Sequence, residues 1–189
     1  MPKGKNYAIL IKTLCVAHER IKMRKILTVL LAFCTVFTMA FIFYQSLQNG
    51  EQSGAASGNV SDVVVDVVVP DLPQRPEWEQ NNMKHKVQEW VRTAAHAIEF
   101  AALGFFFCAF VLVLSLAESI ALPYKLLASF LFSVTVALID ETVQIFVEGR
   151  SFELRDIGVD TLGATVGILF SLAAVYLAGR LIAKIRKAD

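Results

Sequence analysis

A histidine between an arginine and a glutamate, inside an apolar stretch, is the first arrangement in this sequence that could do chemistry. Arg92, His96 and Glu99 are four and then three residues apart, so a helix places them on one face. An imidazole can act as a general acid or base, and a neighbouring carboxylate can fix its tautomer. The pattern predicts an acid–base group or a ligand-binding face, and a structural buried pair is the simpler alternative.

A second polar group lies further along the chain, between two strongly apolar runs. Glu141 and Gln144 are three residues apart, and Asp156 and Asp160 are four apart, so each pair shares a helical face. Arg150 lies between the two pairs. A carboxylate inside a bilayer is costly, and such residues usually mark function. We therefore count Glu141 among the catalytic candidates, with His96 and Glu99, while the two aspartates could simply favour the positive end of a helix dipole.

Three neighbouring residues have other predicted roles. Asp140 is expected on a different helical face from Gln144, where it pairs locally or faces a neighbouring span. Gly163 and Gly167 continue the aspartate stripe as a GxxxG pattern, which allows a second helix to approach closely. The polar face of this helix is therefore also its predicted packing face.

Metal binding and nucleophilic catalysis have little support in the sequence. His96, Glu99 and Glu141 could offer nitrogen and oxygen donors, but the chain has no HExxH motif, no paired ExxH and no cysteine cluster. No GxSxG motif supports a serine nucleophile. We therefore expect no metal and no cofactor.

Composition places these residues in a membrane protein. The chain has 189 residues, 56% of them hydrophobic, and its net charge of +1 creates no basic field for nucleic acid. Four apolar stretches approach or exceed the length that crosses a bilayer, and in hydrocarbon they must be helices. We place these spans at residues 26–44, 94–117, 122–147 and 157–182. The prediction is an all-α integral membrane protein with a four-helix transmembrane bundle.

The lysines and arginines predict the orientation. Residues 1–25 carry seven of them, and residues 183–189 form a second basic segment, so both termini are expected in the cytoplasm. The transmembrane domain is then 26–182, with one long outer loop at 45–93. With this topology every polar residue described above lies in one layer towards the outer side of the membrane.

The outer loop has three predicted parts. Its first residues, "QSLQNGEQSGAASGN", are rich in Gly, Ser and Asn and are read as flexible. "VSDVVVDVVVPDLP" follows as a short strand or an interfacial segment, and a packed connector is a simpler role for it than substrate binding. An amphipathic helix then leads into the second span, with Trp78 and Trp90 as interface anchors.

Two stretches together resemble the VanZ-like family of bacterial membrane proteins. They are "VRTAAHAIEFAALG" and "ETVQIFVEGRSFELRDIGVDTLGATVG". The similarity extends over residues 26–182, and the family often has Asn where this chain has Asp160. The residues that match the family pattern are Arg92, His96, Glu99, Phe100, Glu141, Gln144, Gly149, Arg150, Asp156, Asp160, Gly163 and Gly167.

The resemblance implies a cell-envelope role, because the founding member is associated with low-level resistance to teicoplanin. Our first hypothesis is a pocket that binds a lipid-linked cell-wall component or a lipoglycopeptide. The alternatives are an intramembrane enzyme acting on an envelope lipid and an ion- or proton-coupled transporter. Four helices are few for a transporter, so that alternative favours a homodimer formed through the GxxxG face. The predicted ligand-binding residues are Arg92, His96, Glu99, Glu141, Gln144, Arg150, Asp156 and Asp160.

Overall fold

The protein is mostly helical in the part described by the computed structural model, which covers residues 3–117 and 119–188. No strand occurs in these two ranges, so the all-α prediction is confirmed. Two short 3₁₀ turns, Leu72–Gln74 and Ser115–Ala117, lie in the connections. The helices are α1 (Lys3–Ser46), α2 (Gly50–Val68), α3 (Glu77–Leu114), α4 (Leu122–Gln144) and α5 (Leu154–Ala188).

Four of these helices are long and apolar enough to cross a membrane, which confirms the predicted number of spans. The candidate spans are Ile21–Ser46, Glu77–Leu114, Leu122–Gln144 and Leu154–Ile185. The third ends three residues before the predicted boundary at 147. Pro123 lies in the first turn of α4, where its missing N–H removes no helical hydrogen bond.

Helix α3 is the centre of the bundle and contacts α1, α2, α4 and α5. It runs antiparallel to α4, since the Phe107 ring stacks on Phe132 with 3.8 Å between centroids, while the earlier Phe100 packs near the later Val136. The buried core joins all four spans through Ile42, Phe100, Leu103, Val136, Ala137 and Ala164. Large apolar side chains such as Phe37 and Phe170 face outward, as expected for contact with lipid.

The α3–α5 contact is a seam of small residues along which the two helices run parallel. A Cβ added at Gly163 would overlap the backbone of Ala97, and one at Gly167 would overlap the backbone of Ala101. The GxxxG face is therefore covered by α3 of the same chain. A homodimer would have to use another face of α5 or displace α3, and dimerisation stays a prediction.

The predicted outer loop is mostly helical, so the expectations of an irregular first part and of a strand after it are wrong for the backbone, while an interfacial position stays a prediction. Residues 50–68 form α2, which packs on α3 and buries Val65. Valines lower helix propensity only slightly, and packing against a neighbour outweighs that preference. The predicted amphipathic helix is confirmed and is continuous with the second span, giving α3 38 residues and a length of about 57 Å.

An ion-pair clasp holds the turn between α2 and α3. Arg75 Nη2 lies 2.8 Å from Asp71 Oδ2, and Arg75 Nη1 lies 2.7 Å from Glu79 Oε1. The hydrogen bond from Arg75 lowers the pKa of the Asp71 carboxyl, and the bonds to both acids raise the pKa of Arg75. The clasp connects the turn to Glu79 in the first turn of α3.

Candidate functional site

All four spanning helices bring polar side chains to the same end of the bundle. The end of α1 contributes Ser46, and the end of α4 contributes Asp140, Glu141 and Gln144. Because α3 and α5 run the opposite way, their polar residues lie near the start of each span. We call this set the polar cluster; it comprises Ser46, Arg92, His96, Glu99, Asp140, Glu141, Gln144, Arg150, Asp156 and Asp160.

Asp140 is fully buried and is bonded from two helices. Ser46 Oγ donates to Asp140 Oδ1 at 2.5 Å, and Gln144 Nε2 donates to Asp140 Oδ2 at 3.1 Å. The prediction that Asp140 and Gln144 lie on different faces is therefore wrong, since residues four apart share a helical face. Both Asp140 and Ser46 were left out of the predicted site. The spacing to Gln144 could have revealed Asp140, whereas Ser46 carried no local signal beyond its place at the end of the first span.

Two pairs of a basic and an acidic side chain, one helical turn apart, connect α3 and α5. Arg92 Nη2 lies 3.9 Å from Asp156 Oδ2, and one helical turn deeper His96 Nδ1 lies 3.9 Å from Asp160 Oδ1. The exposed fraction of the side chain falls from 42% at Arg92 to 13% at Asp156 and 0% at Asp160. The polar cluster therefore begins at the bundle surface and extends into its interior.

Glu141 and Arg150 connect the end of α4 to the start of α5. Glu141 Oε2 accepts the backbone N–H of Glu153 at 2.9 Å, just before α5 begins, where the positive end of a helix dipole favours a carboxylate. Gly149 turns the chain with a φ of 76°, which favours glycine. Half-buried Arg150 then reaches back so that its Nη2 donates to Gln45 O at 3.4 Å.

Arg150 is half-buried among charges of both signs. Burial lowers the pKa of its guanidinium, and the charge of Arg92 lowers it further, against the opposing effect of nearby carboxylates. A guanidinium is stabilised by paired oxygen acceptors. Arg150 therefore has capacity to bind an anionic or carbonyl oxygen.

Carboxylates outnumber cations in the cluster. Five acids share the space with two arginines and one histidine, and Asp160 interacts electrostatically with all four others: Asp140, Glu141, Asp156 and Glu99. Glu99 is half-buried one turn beyond His96. The sequence interpretation made Glu99 the partner of His96, but the carboxylate that lies beside His96 Nδ1 is Asp160.

Several buried polar atoms of the cluster have no hydrogen-bond partner among the residues that the structure describes. They are His96 Nδ1, Glu141 Oε1, Arg150 Nε and both carboxylate oxygens of Asp160. An unsatisfied polar group in an apolar environment costs on the order of several kcal/mol. The arrangement therefore has the chemistry of a binding site for a polar group.

A family model described as VanZ/LLP1 matches residues 31–176, most of the chain and all of the polar cluster. The chain belongs to the VanZ/LLP1 family. This confirms the resemblance drawn from the residue pattern. Among curated proteins and among solved structures, none matches this VanZ/LLP1 family member.

Proposed function

We propose that this VanZ/LLP1 family member is a multi-pass protein of the bacterial plasma membrane that binds a cell-envelope molecule in its polar cluster. The observation that carries the proposal is the set of buried polar atoms without partners, on Asp160, Glu141 and Arg150. In lipid such atoms are costly and usually functional. A bound polar headgroup would supply the missing hydrogen bonds.

The cluster faces outward in this proposal. The basic residues of 1–25 and of the C-terminal segment favour a cytoplasmic location for both ends of the chain. The polar cluster lies where α1 ends and α5 begins, at the opposite end of the bundle from those segments. An envelope component would then reach it without crossing the membrane.

The ligand we propose is amphiphilic, either a lipid-linked cell-wall component or a lipoglycopeptide such as teicoplanin. Its acyl chain would lie along the exposed apolar faces of the spans. Its polar part would meet Arg92 at the surface, since that side chain is 42% exposed. Arg150 would bind an anionic oxygen, while the excess of carboxylates suits amine, amide or hydroxyl groups.

A susceptibility experiment tests this function. Wild type, Arg150→Ala and Glu141→Ala are expressed at matched membrane levels in a sensitive Gram-positive host, and minimal inhibitory concentrations of teicoplanin and vancomycin are measured. Arg155→Ala is the matched control, because Arg155 is exposed and nearby. We expect protection against teicoplanin from wild type and from the control, and loss of protection in the other two variants. Full protection by Arg150→Ala would refute the proposal.

Catalysis is a second candidate, and one observation favours it. A carboxylate beside an imidazole nitrogen is the usual way to orient a general base, and Asp160 Oδ1 lies 3.9 Å from His96 Nδ1. The reaction class would be acid–base chemistry on an envelope lipid headgroup. Purified protein that turns over such a lipid, and loses the activity in His96→Ala but not in His85→Ala, would establish it.

A further inference from the structure

We propose that His96, Asp140 and Asp160 bind one divalent transition-metal ion, of the Zn²⁺ or Mn²⁺ class, within the polar cluster. The sequence predicted no metal because it contains no known ligand motif. The three residues come from three different helices, so no short motif could encode them. The proposal does not depend on the envelope ligand, because metal can be measured on the protein alone.

The geometry of the donors is the first support. One donor atom from each residue lies within 4.8 Å of the other two. Three donors about 2.1 Å from one ion lie roughly 3.4 Å apart in tetrahedral geometry. A contraction of at most about 1.4 Å, within the reach of side-chain rotation, would complete the coordination.

The second support is that two of the three ligands have unused donor atoms in a buried place. The Asp160 side chain is 0% exposed, and neither of its oxygens has a hydrogen-bond partner in the described part of the chain. His96 Nδ1 is buried and unpartnered in the same way. His96 Nδ1 and the Asp160 oxygens can therefore both donate a lone pair to an ion placed between them, after loss of any proton they carry.

The third ligand, Asp140, is held in place as metal-binding carboxylates commonly are. Ser46 Oγ and Gln144 Nε2 each donate a hydrogen bond to one of its oxygens. Such outer partners orient a ligating carboxylate and leave a lone pair on each oxygen for the ion.

Charge is the last argument. Asp160 interacts electrostatically with four other carboxylates. Of the two arginines in the cluster, Arg92 lies 3.9 Å from Asp156 and Arg150 donates to Gln45 O. A divalent ion would neutralise this local excess of negative charge in a medium that screens it poorly. Imidazole with two carboxylates suits Zn²⁺ or Mn²⁺, and three protein donors leave a coordination position for water or for a ligand oxygen.

Metal content of the purified protein is the test. Wild type carrying a histidine-free affinity tag is stripped with a chelator, incubated with Zn²⁺ alone or Mn²⁺ alone, gel-filtered and measured by plasma mass spectrometry. We expect about one ion per chain. His96→Ala and Asp160→Asn should weaken binding by at least about 100-fold, since even outer partners of a metal contribute 10- to 100-fold.

Two control variants separate the site from adventitious binding. His85→Ala removes an exposed histidine whose Nδ1 lies 3.6 Å from Glu89 Oε1, and Glu89→Gln removes that exposed carboxylate, which lies outside the polar cluster. Both should keep the ion. Wild type with neither metal, or controls that lose as much metal as Asp160→Asn, would overturn the proposal.

X-ray absorption at the zinc edge of wild type provides a reading that does not depend on how the variants fold. One imidazole nitrogen, oxygen ligands and no sulfur are expected. Two imidazoles or any sulfur would place the ion elsewhere and refute this assignment.

Discussion

Ser46 and Asp140 share a hydrogen bond of 2.5 Å although 94 residues separate them in the sequence. The bond ties the end of α1 to the end of α4 where both are fully buried. A carboxylate in a poorly polar environment makes short, strong bonds of this kind. Ser46 is thus the contribution of the first span to the polar cluster.

Replacing Ser46 by alanine should destabilise the protein, because Asp140 Oδ1 would lose its hydrogen-bond donor. A hydrogen bond to a charged group contributes about 1.5–3 kcal/mol. We expect a loss of this size in the free energy of unfolding, measured by reversible denaturation in detergent. Thr38→Val is the control, since the Thr38 hydroxyl donates to Cys34 O of its own helix. Equal stability of Ser46→Ala and the control would contradict the role assigned to Ser46.

The α3–α5 seam predicts opposite outcomes for two glycine substitutions in the same helix. Gly167→Ala forces a Cβ into the backbone of Ala101, whereas nothing lies within 4 Å of a Cβ at Gly158. Overpacking costs about 1–3 kcal/mol or more, and replacing glycine by alanine in an open helical position gains up to about 1 kcal/mol. The unfolding temperature should therefore fall in Gly167→Ala and should stay the same or rise in Gly158→Ala. A seam that tolerates both changes would show that the helices are not in backbone contact.

The clasp at the start of α3 predicts a pH dependence at Asp71. Its pKa is lowered from the ordinary 3.8, chiefly by the hydrogen bond from Arg75. A depressed acid stabilises the folded state above pH 3.8 and loses that contribution as the pH falls through the folded pKa. Carboxyl-carbon NMR titration should give a low pKa for Asp71 in wild type and a higher pKa, closer to the ordinary value, in Arg75→Gln. Arg155→Gln should leave the titration unchanged, and an Asp71 pKa insensitive to Arg75 would show that the clasp does not form.

Arg92 and Asp156 should be energetically coupled, though weakly. Their atoms are 3.9 Å apart and Arg92 is well exposed, so solvent screens the pair, and a coupling of about 0.5–1 kcal/mol is expected. A double-mutant cycle with Arg92→Gln and Asp156→Asn measures it from unfolding free energies. The same cycle with Arg180→Gln, near the other end of α5, should be additive. A coupling energy no larger than in this control would mean that Arg92 and Asp156 are close in space but do not stabilise each other.

The location of the polar cluster at one end of the bundle was predictable because the alternating directions of the spans determine it. Spans that alternate in direction bring the end of one and the start of the next to the same side, so counting helices sufficed to group Arg92, Glu141 and Asp160. The match between the four-residue spacings of Arg92 with His96 and of Asp156 with Asp160 was also visible in the sequence. What it could not show is that the two stripes face each other.

The errors have physical causes. The strand alternative for the valine-rich segment was wrong because local propensity is a weak guide where a neighbouring helix supplies packing. Ser46 was missed because a lone serine at the end of a span looks like any other until the helix opposite is known. Asp140 was misplaced by an error in helical phase, which the hydrogen bond to Gln144 corrects.

The glycine seam has a consequence for the charges, although its residues carry none. Gly163 and Gly167 lie so close to α3 that α5 cannot slide past it, and the seam therefore acts as a register stop. A slip of one turn, about 5.4 Å, would bring Asp160 opposite Arg92 and leave His96 opposite Ala164. The smallest side chains of the bundle thus decide which acid meets which base.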